Sequence, residues 1–269
     1  MQISGGCAIR TEAGPGPSAG PAAGAPVHPI DAPGTSESAW QGWLELGALP
    51  AVSVAGWGSA VIFAAHPDDE VLGAGGIIAR LAAAGARLRV VAVTDGEASH
   101  PGLAAAARAQ LARQRAEERT AALEELGAGA TEVIRLGLPD ADLAAREAEL
   151  AALVPDLAAG FTACLAPWTS DLHGDHEAVG RAARRAAGQV LFYPIWMWHW
   201  ARPGDPRVAW RQARRVLLPA GAQDRKQAAI RCFASQLADR GDGAGPVLSE
   251  EFAAHFDRGY EVLFPAARP

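Results

Sequence analysis

A chain of 269 residues, 49% hydrophobic and 20% charged, can bury a substantial core, so neither a metal nor a disulfide is needed merely to keep it folded. A net charge of -6 and a single lysine, Lys226, argue against the clustered basic surface that nucleic acid requires. No run approaches the ~20 apolar residues that span a bilayer, and Cys7, Cys164 and Cys232 are too widely spaced to form a CxxC pair or a disulfide framework.

Residues 1–38 read as a disordered or loosely packed tail, because Ala13 to Pro33 is dense in Gly, Pro and Ala and nearly free of large apolar side chains. The start of the chain lacks a basic stretch followed by an apolar core, so no secretory signal is read and the cytoplasm is the expected compartment. One domain is expected over 39–269. Trp40, Trp43, Leu44, Leu46 and Leu49 form an apolar lead-in, suited to a short helix laid on that domain.

From residue 59 short apolar runs alternate with helical periodicity. Ala60 to Ala65 reads as a buried parallel strand, with Ile77, Ile78 and Leu81 at helical spacing after it. Leu88–Val93 is a second strand, 103–126 a long helix, Thr131–Leu136 a third strand and 143–153 a helix. Phe161–Ala166 and Val190–Tyr193 are further strands, separated by a helix over 175–187. This alternation predicts an α/β fold, Rossmann-like, with a mostly parallel sheet and helices on both faces. Beyond Pro194 the pattern loosens into strands at 215–218 and 260–264 and a helix over 223–237. Residues 194–269 are expected to elaborate a substrate pocket.

Two clusters carry chemistry. His66-Pro67-Asp68-Asp69-Glu70 follows the first strand, and Asp171-Leu172-His173-Gly174-Asp175-His176 follows the fourth. In open α/β sheets ligands bind beyond the carboxyl ends of strands, which is where both clusters fall. Imidazole and carboxylate are good ligands for zinc, and one tight turn can present both His66 and Asp69 inward. Consecutive buried acids are costly unless a cation or donors meet them; a solvated loop or helix N-terminus would explain Asp68 and Asp69 equally. His173 and His176 lie one helical turn apart. Three protein ligands would leave a coordination position for water, the catalytic arrangement.

Around these clusters lie further candidates. Asp95 and Glu97, in Val93-Thr94-Asp95-Gly96-Glu97, suit either the site's edge or a cap of the next segment. Asp140, after the third strand, could hold a sugar hydroxyl or be an ordinary turn acid. Trp168 follows the fourth strand as a candidate wall. Tyr193 to Trp200 contains three tryptophans, suited to stacking on a sugar ring and equally to a core strand with alternating faces. His199 is a candidate for substrate contact.

"AAHPDDE" at 64–70 with "DLHGDH" at 171–176, and "VTDGE" at 93–97, resembles the LmbE-like or PIG-L family of metal-dependent N-deacetylases. The resemblance covers residues 60–195 well and the remainder loosely. It implies His66, Asp69 and His176 as zinc ligands, Asp68 as general base, and His173 assisting at the carbonyl with Asp175 paired to it. It also implies Arg115 facing substrate, and a small N-acylated amino sugar or glycoside as that substrate. Ferrous iron or another divalent metal would suit the same donors. The resemblance favours deacetylation of an N-acetylglucosamine-type unit. An amidase for a larger N-acyl conjugate uses the same groups, and a non-catalytic sugar- or metal-binding module would lack a working base. The sequence leaves the oligomeric state open.

Overall fold

The computed structural model describes residues 27–187, 189–241, 243 and 245–266. Its centre is a seven-stranded sheet in the order β3-β2-β1-β4-β5-β7-β6. The strands are β1 Ser59–Ala64, β2 Arg87–Ala92, β3 Glu132–Arg135, β4 Ala163–Pro167, β5 Val190–Tyr193, β6 Arg214–Leu217 and β7 Tyr260–Pro265. Strands β1 to β5 pair in parallel, and β7 runs antiparallel between β5 and β6. The uninterrupted apolar run of β1 follows from its place near the middle of the sheet: every residue of it is buried.

Among the described residues ten α-helices flank the sheet: α1 Glu37–Gln41, α2 Leu44–Ala48, α3 Asp69–Ala83, α4 Ala105–Glu125, α5 Glu147–Ala158, α6 Gly174–Ala186, α7 Met197–Trp200, α8 Ala220–Ile230, α9 Ala234–Leu237 and α10 Glu250–Ala254. Parallel crossovers are right-handed, and the chain reverses direction across the sheet after β3. The helices that lead outward to β2 and β3 therefore cover one face. Those reached after the reversal, α5 and α6, cover the other. The gap between β1 and β4 is thus the topological switch point, where such sheets open a crevice.

The expected elements between 59 and 193 are present, with one change: the helix predicted over 143–153 begins as a 3-10 turn, Leu143–Arg146, before α5. The helix predicted over 223–237 is broken into α8 and α9 by an irregular turn at 231–233. The tryptophan-rich stretch is a helical turn, α7, rather than a strand. Trp198 and Trp200 are buried, against Trp40 and Trp168, while Trp196 is half-buried against Phe252.

The expected limit of the tail at residue 38 lies too late. Residues 1–26 fall outside the described residues, but the chain is anchored well before 38. Thr35 N–H donates to the His199 carbonyl at 2.8 Å and its Oγ1 to Ala201 at 2.6 Å. Ser36 caps α1 by accepting from Ala39 N–H. Glu37 is buried, paired with His255 Nδ1 at 2.8 Å and with Nε and Nη2 on one edge of the Arg258 guanidinium. These polar anchors, not apolar bulk, order the segment. Among the described residues no helix is long and apolar enough to cross a membrane.

Candidate metal and substrate site

The turn from β1 into α3 carries the first cluster. His66 N–H donates to Asp69 Oδ2 at 2.9 Å, closing the turn on itself. Between them Asp68 sits at φ 135°, a conformation that L residues rarely adopt. The other non-glycine residues with positive φ, among those described, are Ala141 and Leu172. Both lie on loops at the same end of the sheet.

The second cluster follows β4. Asp171, fully buried, is fixed by the N–H groups of Ile195, Trp196 and Met197 at 3.2, 2.9 and 2.9 Å. It takes the Nδ1–H of His176 at 2.7 Å. That bond commits the His176 tautomer and leaves the Nε2 lone pair facing inward.

There His176 Nε2 meets the first cluster. It lies 3.2 Å from His66 Nδ1 and 3.3 Å from Asp69 Oδ1, while His66 Nδ1 lies 3.6 Å from Asp69 Oδ2. Ligands bound tetrahedrally at zinc distances are about 3.3–3.5 Å apart; His66 Nδ1 and His176 Nε2 approach that spacing, and each lies beside a different oxygen of Asp69. Charge points the same way. Five carboxylates are buried around this centre, Asp68, Asp69, Glu70, Asp171 and Asp175, against the buried guanidiniums of Arg115 and Arg119. Buried carboxylates of that number call for further positive charge. A divalent cation fits the residues present.

The outer nitrogen of His66 is held as firmly. Its Nε2 lies 3.2 Å from both Asp140 Oδ1 and Asp175 Oδ2. Donor atoms of His66, Asp140 and Asp175 fall within 4.8 Å of one another, as do those of His66, His173 and His176. Because Nδ1 is the atom facing His176 and Asp69, we read the two outer acids as the shell that orients the ring. Burial opposes a charge on His66, but its bonds to Asp140, Asp175 and Asp69 outweigh burial and raise its proton affinity. His176 follows the same logic: burial opposes, Asp69 and Asp171 prevail, and it rises to about 9. Asp140 is likewise held below its ordinary range, burial being overcome by His66.

Asp68 is 5% exposed and lies 3.0 Å from Arg115 Nη2. Burial, reinforced by Asp69 and opposed by Arg115, lifts its carboxyl to about 7. Arg115, on α4, also donates to the carbonyls of Gly96 at 2.8 Å and Pro67 at 2.7 Å. Gly96 has φ 67°, and a Cβ there would lie 1.9 Å from Arg115 Nη1. The glycine of the Thr-Asp-Gly-Glu stretch is therefore what lets the guanidinium reach Asp68.

His173 stands beside these groups, its ring 4.5 Å from that of His176 and 4.9 Å from that of His66. Burial and those two imidazoles depress it to about 2, and its Nδ1 is buried without a partner. The expected pairing of His173 with Asp175 is absent. Asp175 instead holds His66 and accepts from the N–H groups of Ala141 and Leu143 at 2.8 and 3.1 Å.

His66, Asp68, Asp69, Arg115, Asp140, His173 and His176 all line one cleft of about 180 Å³. Asp175 and three other expected residues do not. Asp95 turns to Arg135, at 2.9 Å, towards solvent. Trp168 is 6% exposed, stacked on Phe264 and Trp200 in the core. His199 donates Nε2–H to the Ala32 carbonyl at 2.9 Å and so pins the N-terminal segment. Sequence reasoning passed over Asp171, although a buried ligand histidine needs a carboxylate on its far nitrogen, and this acid heads the motif. It also passed over Leu72, Ser99, Gln236, Leu248 and Phe252, which border the cleft. Nothing local distinguishes them.

Residues 61–187 match the family model PIG-L, described as GlcNAc-PI de-N-acetylase. A 71-residue stretch is 49% identical to the 1D-myo-inositol 2-acetamido-2-deoxy-alpha-D-glucopyranoside deacetylase of Mycobacterium avium, covering 24% of this chain. The match spans about a quarter of that relative's length, 24%. Among solved structures the fold is similar to a zinc-inhibited form of teicoplanin deacetylase, with a TM-score of 0.58 at 20% identity over 77% of this chain and 97% of the other. It is also similar to N,N'-diacetylchitobiose deacetylase from Pyrococcus horikoshii, with a TM-score of 0.52 at 19% identity over 67% and 71% of the two chains.

Proposed function

Because residues 61–187 are a domain of the PIG-L family, we propose that the protein is a zinc-dependent hydrolase that removes the N-acetyl group from an amino sugar such as an N-acetylglucosamine unit. One observation carries this reading. His66 Nδ1 and His176 Nε2, 3.2 Å apart and flanked by the two oxygens of Asp69 at 3.6 and 3.3 Å, share a cleft with a separate buried carboxylate, Asp68. A metal-binding module has no use for that extra acid.

His66 Nδ1, Asp69 and His176 Nε2 would hold the ion, which supplies Lewis acidity to polarise the amide carbonyl and to acidify water. Asp68 takes the proton of the attacking water and delivers it to the departing nitrogen. The amide C–N bond breaks, the water oxygen leaves in acetate, and the sugar leaves as its amine. Arg115 keeps Asp68 aimed at the cleft. His173, neutral and packed against His66 and His176, donates its ring N–H to the carbonyl oxygen as negative charge grows there. Asp140 and Asp175 keep His66 in the tautomer whose Nδ1 is free to bind.

Acetate release from N-acetylglucosamine conjugates tests the proposal. Release should stop when a chelator strips the protein and return on addition of zinc. Turnover that survives complete metal removal would refute it. Ferrous iron and cobalt suit the same donors, and reconstitution with each metal in turn ranks them.

A further inference from the structure

The lining of the cleft mixes two chemistries. Arg115, Asp140, Ser99 and Gln236 are polar. Leu72, Ile195, Trp196, Val247, Leu248 and Phe252 are apolar. The apolar lining begins at the reacting centre itself. Leu72 lies one helical turn beyond Asp69 on α3. The Trp196 ring is 6.1 Å from the His173 ring and within 17° of parallel to it. Phe252 continues the surface, 4.8 Å from Trp196.

An amide carbonyl carbon has two substituents, the nitrogen and the first acyl carbon. With the carbonyl at His66, Asp69 and His176, a hydroxylated ring belongs with Arg115, Asp140 and Ser99. The acyl carbon is then turned towards Leu72 and Trp196, and an acetyl methyl covers little of the apolar wall that extends from them to Phe252. Resting on the deacylase reading above, we propose that the cleft prefers an N-acyl chain longer than acetyl on the amino sugar, and that Trp196 and Phe252 set this preference. Apolar wall next to the reacting carbon favours this over an apolar aglycone, which is attached on the far side of the nitrogen.

Two substrate series decide it, assayed with the zinc-loaded full chain. One lengthens the N-acyl group of glucosamine from acetyl to hexanoyl. The other keeps N-acetyl and lengthens an alkyl group on the anomeric oxygen. Each methylene buried on the wall should raise kcat/KM about three- to fourfold, so the acyl series should climb and the alkyl series stay flat. Trp196→Ala should flatten the acyl climb, a ratio that is independent of how much of the variant is folded. An acyl series that is flat or falling, or an alkyl series that climbs instead, overturns the proposal even where acetate is released. Absence of hydrolysis in every member of both series would instead defeat the deacylase reading itself.

Discussion

The polar and apolar parts of the cleft are also built largely by different kinds of chain. Most polar groups come from turns that follow strands of the parallel sheet between residues 59 and 193, with Arg115 reaching in from α4. Apart from Leu72 on α3, the large apolar residues come from short helical turns and loops of 194–256, with the N-terminal segment fastened to them through Thr35, Glu37 and His199. In the first region each position demands a particular atom: an imidazole nitrogen, a carboxylate oxygen, a guanidinium edge. In the second, any large apolar side chain of suitable shape would do. The chemistry is confined to a few residue types, and the packing is shared among many.

If that contrast holds, substitutions among the polar groups should abolish chemistry without unfolding the protein, and those behind the apolar residues should do the reverse. The largest effect is expected at Asp68. Asp68→Asn should lower acetate release by about 10²–10⁴-fold while the metal content, measured by atomic absorption, stays at one per chain. Loss of the metal would instead make Asp68 a ligand. A smaller effect is expected at Asp171, which touches the site only through His176 and the 195–197 backbone. Asp171→Asn should weaken zinc affinity by about 10–100-fold, read by competition with a chromophoric chelator. An unchanged affinity would mean that the 2.7 Å bond to His176 does not orient the ligand.

The mildest test lies behind the apolar wall. Glu37→Gln weakens the bond to His255 and removes the countercharge of Arg258. It should cost on the order of 1–3 kcal/mol, a fall in Tm of roughly 2–10 °C. Acid should narrow that gap. Burial raises the Glu37 pKa, but the bonds to His255 and Arg258 prevail and hold it below its ordinary value of 4.5. Its contribution is therefore full above pH 4.5 and disappears as pH falls below that value through the lower native one. Melting wild type and variant side by side from neutral pH downwards checks this, and a gap independent of pH would contradict it.

The same contrast explains how much was legible in advance. Strands β1 and β4 were readable because a buried parallel strand has to be continuously apolar. The metal face was readable because two short clusters occupy equivalent strand ends. Trp168 and His199 misled because residue type alone does not tell which way a side chain points after the strand ends. Trp168 stacks inward on Phe264, and His199 turns back to Ala32. The pairing of Asp175 with His66 rather than His173 depends on a loop around Ala141, contributed by a distant part of the chain. The tail boundary was misplaced because hydrophobicity was the guide, whereas a buried glutamate and a threonine do the anchoring.

The backbone at Asp68 carries a consequence for anyone who tries to toughen this protein. At φ 135° a side chain is unwelcome, and holding one there gives up about 1–3 kcal/mol. Glycine would relieve that burden, so a search that rewards heat resistance alone should drift towards glycine at position 68. It would then collect hardy molecules that have lost their proton acceptor. Selection for endurance and selection for turnover pull this single residue in opposite directions.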